Sequence, residues 1–251
     1  DLEHFMPVLE GAMKRVPLLQ ETGIKKFFCG PESFTPDLAP VVGEAANLKN
    51  YFVCAGLNSI GILSGGGLGR IMAHWILNGK PDVDVTGFNA NRMQAFQANP
   101  EYRRERVTEM LGSVYKCHYP TKAPETARGA KRSALHDRLA AAGAYFTDVS
   151  GWEGASWYAP IPDLATVDNL SFGRMNWWPY WQAEHRACRE AVTLTDMSFM
   201  AKFMVQGRDA GKVLDYISAN KVNGNTGQIT YSQWLNDEGR IEADLTVTTL
   251  D

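Results

Sequence analysis

The segment that most constrains the fold runs from Tyr51 to Pro81. Tyr51-Phe52-Val53-Cys54-Ala55 is a short apolar run with the aromatic and β-branched content of a buried strand, and Gly56 ends it. A glycine-rich stretch from Gly61 to Gly69 follows. Ile71, Met72, Trp75 and Ile76 then recur at helical spacing. Asn78-Gly79-Lys80-Pro81 closes the helix with a C-terminal glycine and a later proline. A strand that passes through glycines into a helix lets a ligand approach the backbone, and the helix N-terminus offers N–H groups and a partial positive charge. Two uses stay open: cradling an anionic group, or simply packing the helix closely on the strand. The spacing is not the G-x-G-x-x-G dinucleotide fingerprint, of which the chain holds no good instance.

The rest of the chain reads as a mixed α/β (α+β) architecture. Leu2, Phe5, Met6, Leu9, Met13 and Val16 predict an opening helix. Ile24 to Cys29 reads as a strand, and Gly30-Pro31 and Thr35-Pro36-Asp37 as turns. Glu101 to Tyr115 reads as a helix with a basic, solvated face at Arg103, Arg104 and Arg106. A second helix is expected from Ser133 to Ala142, ending at Gly143. Asp148 to Pro162, rich in Gly, Trp and Pro, reads as a packed loop or linker. Further on, Trp181 to Val192 and Asp209 to Ala219 read as helices, and Met200 to Gln206 alternates like a strand. Gln228 to Leu235 and Ile241 to Thr248 look like paired strands. Their alternation would put Glu242 and Asp244 on one face. A carboxylate there either handles protons from an apolar pocket or is a solvated edge acid. His74, Glu184 and His185 read as packing or surface groups. Trp177-Trp178 reads as packing between domains.

Composition narrows the function classes. Lys and Arg total 25 against 28 Asp and Glu, a net charge of −3, which gives no basic footprint for nucleic acid. The four cysteines are far apart and form no C-x-x-C pair, so neither a zinc site nor a disulfide framework is expected, and a reducing compartment is. No apolar run reaches the ~18 residues of a membrane span. Six of the seven tryptophans lie after residue 150, whereas glycine concentrates between Gly56 and Gly79, so distinct units are expected rather than a repeat. With no initiator methionine and a strand-like run at the close, both ends are expected to be cuts in a longer chain.

Several blocks resemble one family. Gly30-Pro31-Glu32-Ser33-Phe34-Thr35-Pro36-Asp37, Val42-Gly43-Glu44 and Tyr51 through Ser59 resemble the closing part of the flavin domain of sarcosine and dimethylglycine dehydrogenases. Ser133-Ala134-Leu135-His136-Asp137-Arg138-Leu139 with Gly143-Ala144 looks like their central region. Asp196-Met197-Ser198 and Gly227 through Val247 are similar to the start of a glycine-cleavage T-protein domain. The resemblance implies three parts: residues 1–85, the C-terminal part of an FAD-dependent oxidoreductase domain; 86–175, a central connector; and 176–251, the N-terminal part of a folate-binding domain.

The resemblance also implies roles. Leu57, Asn58, Ser59, Ile60, Gly61 and Ile62 would lie along the flavin of FAD, with Pro31 to Asp37 near the substrate face. Tyr231 and Asp244 would line a tetrahydrofolate pocket, with Asp244 as the catalytic carboxylate near the one-carbon centre. The implied reaction oxidises a small methylated amine such as sarcosine or dimethylglycine and passes the one-carbon unit to tetrahydrofolate. Electrons would go on to electron-transfer flavoprotein or oxygen. The location would be cytoplasmic in a bacterium and the mitochondrial matrix in a eukaryote. Two departures stand out. The fingerprint that holds the ADP half of FAD is not among these residues, so this chain alone is expected to bind FAD weakly and to be inactive. Lys221 follows Asn220 where relatives often carry Asn-Asp. Two rivals share the resemblance: a regulatory subunit of pyruvate dehydrogenase phosphatase, which is an interaction protein, and a demethylating enzyme for another methylated compound.

Overall fold

A computed structural model describes residues 2–161 and 169–250. The chain divides into two compact units, Asp1–Asp196 and Met197–Asp251. Both mix helices with small antiparallel sheets.

The first unit opens with helix α1 (Leu2–Arg15), where the apolar periodicity predicted it. The expected strand at Ile24–Cys29 does not form. That run is irregular, with Ile24, Phe27 and Phe28 exposed. A strand needs a partner for its backbone groups, and the first sheet is made instead by β1 (Val41–Glu44) and β2 (Phe52–Ala55), paired antiparallel. Helix α2 (Gly61–Asn78) follows and ends on Gly79 at φ 75°. Leu68 and Met72 pack with Val42 of β1, and Phe52, Leu57 and Phe88 close around them. Gly43 makes this packing possible. Its φ is 116°, and a Cβ there would stand 2.4 Å from the Trp75 ring.

The glycine-rich stretch is helix, not turn. Gly61 to Gly69 all lie inside α2, and the left-handed residues before it are Gly56, Asn58 and Ser59. Glycine costs about 1 kcal/mol per residue in a helix, and the apolar face through Leu68, Met72 and Trp75 offsets this by burial.

Helix α3 (Pro100–Leu111) is capped by the Asn99 side chain, which accepts from the N–H groups of Glu101 and Tyr102. Its basic face is not wholly solvated, because Arg106 is 3% exposed. The short helix α4 (His136–Ala141) starts three residues later than expected, and the chain turns at Gly143. The expected loop from Asp148 is a hairpin. Strands β3 (Ala144–Val149) and β4 (Trp152–Tyr158) pair antiparallel across Ser150-Gly151. Both turn residues have positive φ, 51° and 85°, which is the two-residue turn that matches strand twist. Pro162, the end of the predicted loop, lies outside the described residues. Helix α5 (Trp178–Glu190) packs against β4, and Glu184 accepts from the Tyr158 N–H at 3.1 Å, so Glu184 ties two elements together rather than facing solvent freely.

In the second unit, Met200–Gln206 is irregular and largely exposed, without the expected strand pairing. Helix α6 (Ala210–Ile217) precedes the hairpin of β5 (Ile229–Leu235) and β6 (Ile241–Thr248). The Asn236 side chain shapes the hairpin turn by accepting from the N–H groups of Glu238 and Arg240, each at 3.0 Å. Among the described residues, no helix is long and apolar enough to cross a membrane.

Candidate functional sites

The first candidate is the turn from Gly56 to Ile62, between β2 and α2. Asn58 organises it. Its side chain is 3% exposed and fully engaged. Oδ1 accepts from the Thr35 N–H at 2.8 Å, while Nδ2 donates to the Gly56 carbonyl at 2.6 Å and to Thr35 Oγ1 at 3.2 Å. The Asn58 N–H donates to the Ser33 carbonyl at 3.1 Å. These bonds hold the segment 33–35 against the turn, and the Ser59 hydroxyl donates to Glu32. Asn58 and Ser59 sit at φ 49° and 64°, a region that Asn tolerates better than most residues. Gly56 is at 66°, and a Cβ on it would come within 2.6 Å of the Thr35 methyl.

Beyond the turn, Ile60 caps α2 with no side-chain hydrogen bond. The N–H groups of the first helical turn have no intrahelical acceptors. Ile62 and Leu63 are fully open to solvent. The arrangement can accept an electron-rich edge of a planar ligand at the helix N-terminus, with apolar side chains beside it. The residues present therefore fit the ring portion of a flavin.

Asp37 continues the same loop. Arg92 grips its carboxylate with two bonds, Nε to Oδ2 at 2.7 Å and Nη2 to Oδ1 at 3.0 Å, and also donates to the Ala39 carbonyl. Burial pushes the Asp37 pKa up, but the bonds from Arg92 and the Ala39 N–H, with the Arg92 charge, outweigh it. The result lies below the ordinary 3.8. The sequence reading missed Thr35 and Arg92 as partners. Only Asp37, in a Thr-Pro-Asp turn, carried a local signal.

The second candidate is the exposed face of the β5–β6 hairpin. Tyr231 and Asp244 are together there. Tyr231 lies opposite Thr246, and Gln233 opposite Asp244. A hydrogen bond to the Asp244 carboxylate raises the pKa of the Tyr231 hydroxyl above 10.0. Gln233 Nε2 donates to Asp244 Oδ1 at 3.2 Å, which completes a row of three polar groups. Alternation from Tyr231 would have found Gln233, two residues on. Glu242 shares the face but is bonded to Asn236 at 2.8 Å. The opposite face carries Ser232, which accepts from the Asn220 N–H at 2.9 Å. Lys221, the departure noted above, follows directly, and its own N–H is turned onto Asn220 Oδ1.

Comparison with known proteins gives the class. Residues 1–75 match the FAD dependent oxidoreductase family, 78–133 the FAD dependent oxidoreductase central domain, and 135–251 the GCVT N-terminal domain. Flavin-oxidoreductase, central-domain and T-protein-like segments therefore follow one another in that order along the chain, and over nearly its whole length it is similar to sarcosine and dimethylglycine dehydrogenases. It is 40% identical over 248 residues to 4-methylaminobutanoate oxidase (formaldehyde-forming) of Paenarthrobacter nicotinovorans, covering 99% of this chain and 30% of that protein. Mitochondrial sarcosine dehydrogenase of Homo sapiens is 35% identical over 274 residues, covering 100% of the chain and 30% of that protein. The mitochondrial pyruvate dehydrogenase phosphatase regulatory subunit of Mus musculus is 33% identical over 254 residues, covering 100% and 29%. The chain thus spans about 30% of the length of these relatives.

Proposed function

We propose that this chain is part of an FAD-dependent oxidoreductase acting on the CH–NH group of a small N-methyl amine, with tetrahydrofolate as one-carbon acceptor. The observation that carries the reading is the Asn58-clamped turn at the N-terminus of α2, within the segment that matches a flavin oxidoreductase. The three parts, 1–85, 86–175 and 176–251, are proposed as its domain division. When bound, FAD supplies the two-electron acceptor for oxidation of the C–N bond.

The chain's own residues contribute position and charge. Leu57 to Ile62 would hold the ring portion, and the first-turn N–H groups of α2 would stabilise negative charge on it, worth about 0.3–2 kcal/mol. Asn58 would fix the distance between this turn and the 33–37 loop, so that the amine is presented at a constant depth. In the second unit, Tyr231 and Asp244 would contact the folate. Asp244 would accept a proton or hydrogen bond from the amine side of the one-carbon centre, with Gln233 and Tyr231 holding its orientation. Electron-transfer flavoprotein or oxygen would take up the electrons. A mitochondrial matrix site is proposed for a eukaryotic source, by analogy with the mitochondrial relative.

The test is the flavin absorbance of the protein at its native length, with sarcosine, dimethylglycine and 4-methylaminobutanoate added in turn. Bleaching by one of them, followed by tetrahydrofolate-dependent capture of the one-carbon unit, is the expected result. A flavin-free protein, or a flavin that no methylated amine reduces, would sink the reading. It would favour the regulatory-subunit role, which rests on the 33% identity over the whole chain.

A further inference from the structure

The loop from Thr35 to Ala39 is tied down from two sides. Asn58 holds its start, accepting from the Thr35 N–H at 2.8 Å and donating to Thr35 Oγ1 at 3.2 Å. Arg92 holds its end. Besides the two bonds to the Asp37 carboxylate, its Nη2 donates to the Ala39 carbonyl at 2.7 Å and its Nη1 to the Asn89 carbonyl at 3.2 Å. All three guanidinium nitrogens are thus engaged, and the side chain is only 15% exposed. Its own anchorage is firm. Arg92 ends a short 3-10 turn (Ala90–Arg92) that the Asn89 side chain caps. The neighbouring Phe88 carbonyl accepts from the N–H of Val42, a fully buried residue of β1, at 2.9 Å.

The loop needs such a clamp. Leu38 has φ 58°, a conformation that a branched side chain rarely adopts and that persists only where its neighbours enforce it. Pro36 and Asp37 border a cavity of about 310 Å³, so on that side the loop has little to pack on. Asp37 is itself spent. Both its oxygens accept from Arg92, and Oδ1 also accepts from the Ala39 N–H at 3.2 Å, so the carboxylate serves as a strut. Asn58 lies in the segment that matches the flavin oxidoreductase, whereas Arg92 lies in the segment that matches the central domain. We infer that Arg92 is a positioning residue through which the central segment sets the 35–39 loop at the depth the amine needs. The inference rests on the proposed reading of this loop as the substrate face and deepens it: Arg92 acts through Asp37 and Ala39, not on the amine itself.

The test is rapid-mixing flavin reduction in the native-length protein, with whichever of sarcosine, dimethylglycine and 4-methylaminobutanoate bleaches the parent. Arg92→Lys keeps the charge but lacks the fixed fork that bridges Asp37 and Ala39. Asp37→Asn removes the carboxylate at an exposed position. At saturating amine, each is expected to slow reduction about tenfold or more, because a shift of about 1 Å in bound geometry can cost about a hundredfold. The double variant should be no slower than the slower single one, since both act through one contact. Flavin content, and reduction by dithionite, which needs no amine site, should match the parent. Hydrogen exchange, read with no amine present, should quicken in the 35–39 loop and not in α2. If Arg92→Lys does not fold, Asp37→Asn decides alone, by rate and by exchange. Parent-like reduction by the amine, unchanged exchange in the loop, or slowing matched by lost flavin or slower dithionite reduction would each overturn the inference and leave the proposed reaction standing. A parent flavin that no methylated amine reduces would overturn both.

Discussion

The Asn58 turn and the β5–β6 face are both polar, but they are built in opposite ways. At the turn, a single amide is buried and spends both its ends on backbone and on Thr35. On the hairpin, Tyr231, Gln233 and Asp244 bond to one another on an open surface, with Tyr231 60% exposed. A buried polar group is costly to leave unpaired, whereas an exposed one can return to water. The first region should therefore answer to substitution through stability, and the second through ligand binding alone.

The largest effect is expected at Asn58. Asn58→Leu leaves the buried Thr35 N–H and Gly56 carbonyl without partners and puts a branched side chain at φ 49°. A loss of about 3 kcal/mol is expected, at the upper end for a single substitution. Asn58→Gly relieves the backbone but not the lost bonds and should fall between. Urea unfolding measures both. If Asn58→Leu unfolds like the parent, the Asn58 hydrogen bonds do not hold the turn together. Gly56→Ala comes next, at about 1–3 kcal/mol, because the new Cβ meets the Thr35 methyl and the backbone must hold positive φ. Retained stability there would show that the 33–35 segment can move off the turn.

The same contrast explains what could be read from the sequence. Helices α1, α2, α5 and α6 and strands β2, β5 and β6 were legible because each has an apolar face at its own period. The tight turns were harder. The glycines of Gly61–Gly69 drew the eye, but the left-handed positions fall on Asn58 and Ser59, which look unremarkable in a string. Ser150-Gly151 marked a hairpin that the Gly- and Trp-bearing β4 disguised as a loop. Arg106 gave no local sign of burial, since its partners Thr126 and Asp148 lie 20 and 42 residues away. Ile24–Cys29 and Met200–Gln206 show the reverse failure. Each has strand composition, but pairing is decided by a partner, and neither run has one among the described residues. Glu242 and Asp244 share a face as alternation predicts, and Tyr231 stands on that same face because the hairpin register is set by a five-residue turn.

A smaller effect is expected from pH, and it separates the two regions again. Asp37 is held below its ordinary pKa by Arg92 and the Ala39 N–H, against the opposing push of burial. A depressed carboxylate contributes stability above its unfolded pKa, near 3.8, and that contribution is lost as pH falls through the lower folded value. The first unit should lose stability on acidification below about pH 4, and Asp37→Asn should flatten that part of the profile. A profile unchanged by Asp37→Asn would mean that the Arg92 clamp contributes nothing measurable, as many exposed ion pairs do. Glu109 and Glu153 are also depressed and act in the same window, so the comparison with Asp37→Asn, not the raw slope, is the reading.

The smallest stability effect belongs to the hairpin face, and there the change should appear elsewhere. Tyr231→Phe and Asp244→Asn remove exposed groups and should shift stability by about 0.5 kcal/mol or less. Asp244→Asn removes the negative acceptor that raises the Tyr231 pKa, so the Tyr231 titration should move back down towards 10.0. Ultraviolet absorbance of the phenolate follows this in the protein without any ligand. Under the proposed reading, both variants should also weaken tetrahydrofolate, by about tenfold for one charge-assisted bond. A lowered Tyr231 pKa with unchanged folate binding would leave the pair as surface chemistry only. An unchanged Tyr231 titration would remove the hydrogen bond itself, and with it the physical basis for treating Tyr231 and Asp244 as one site.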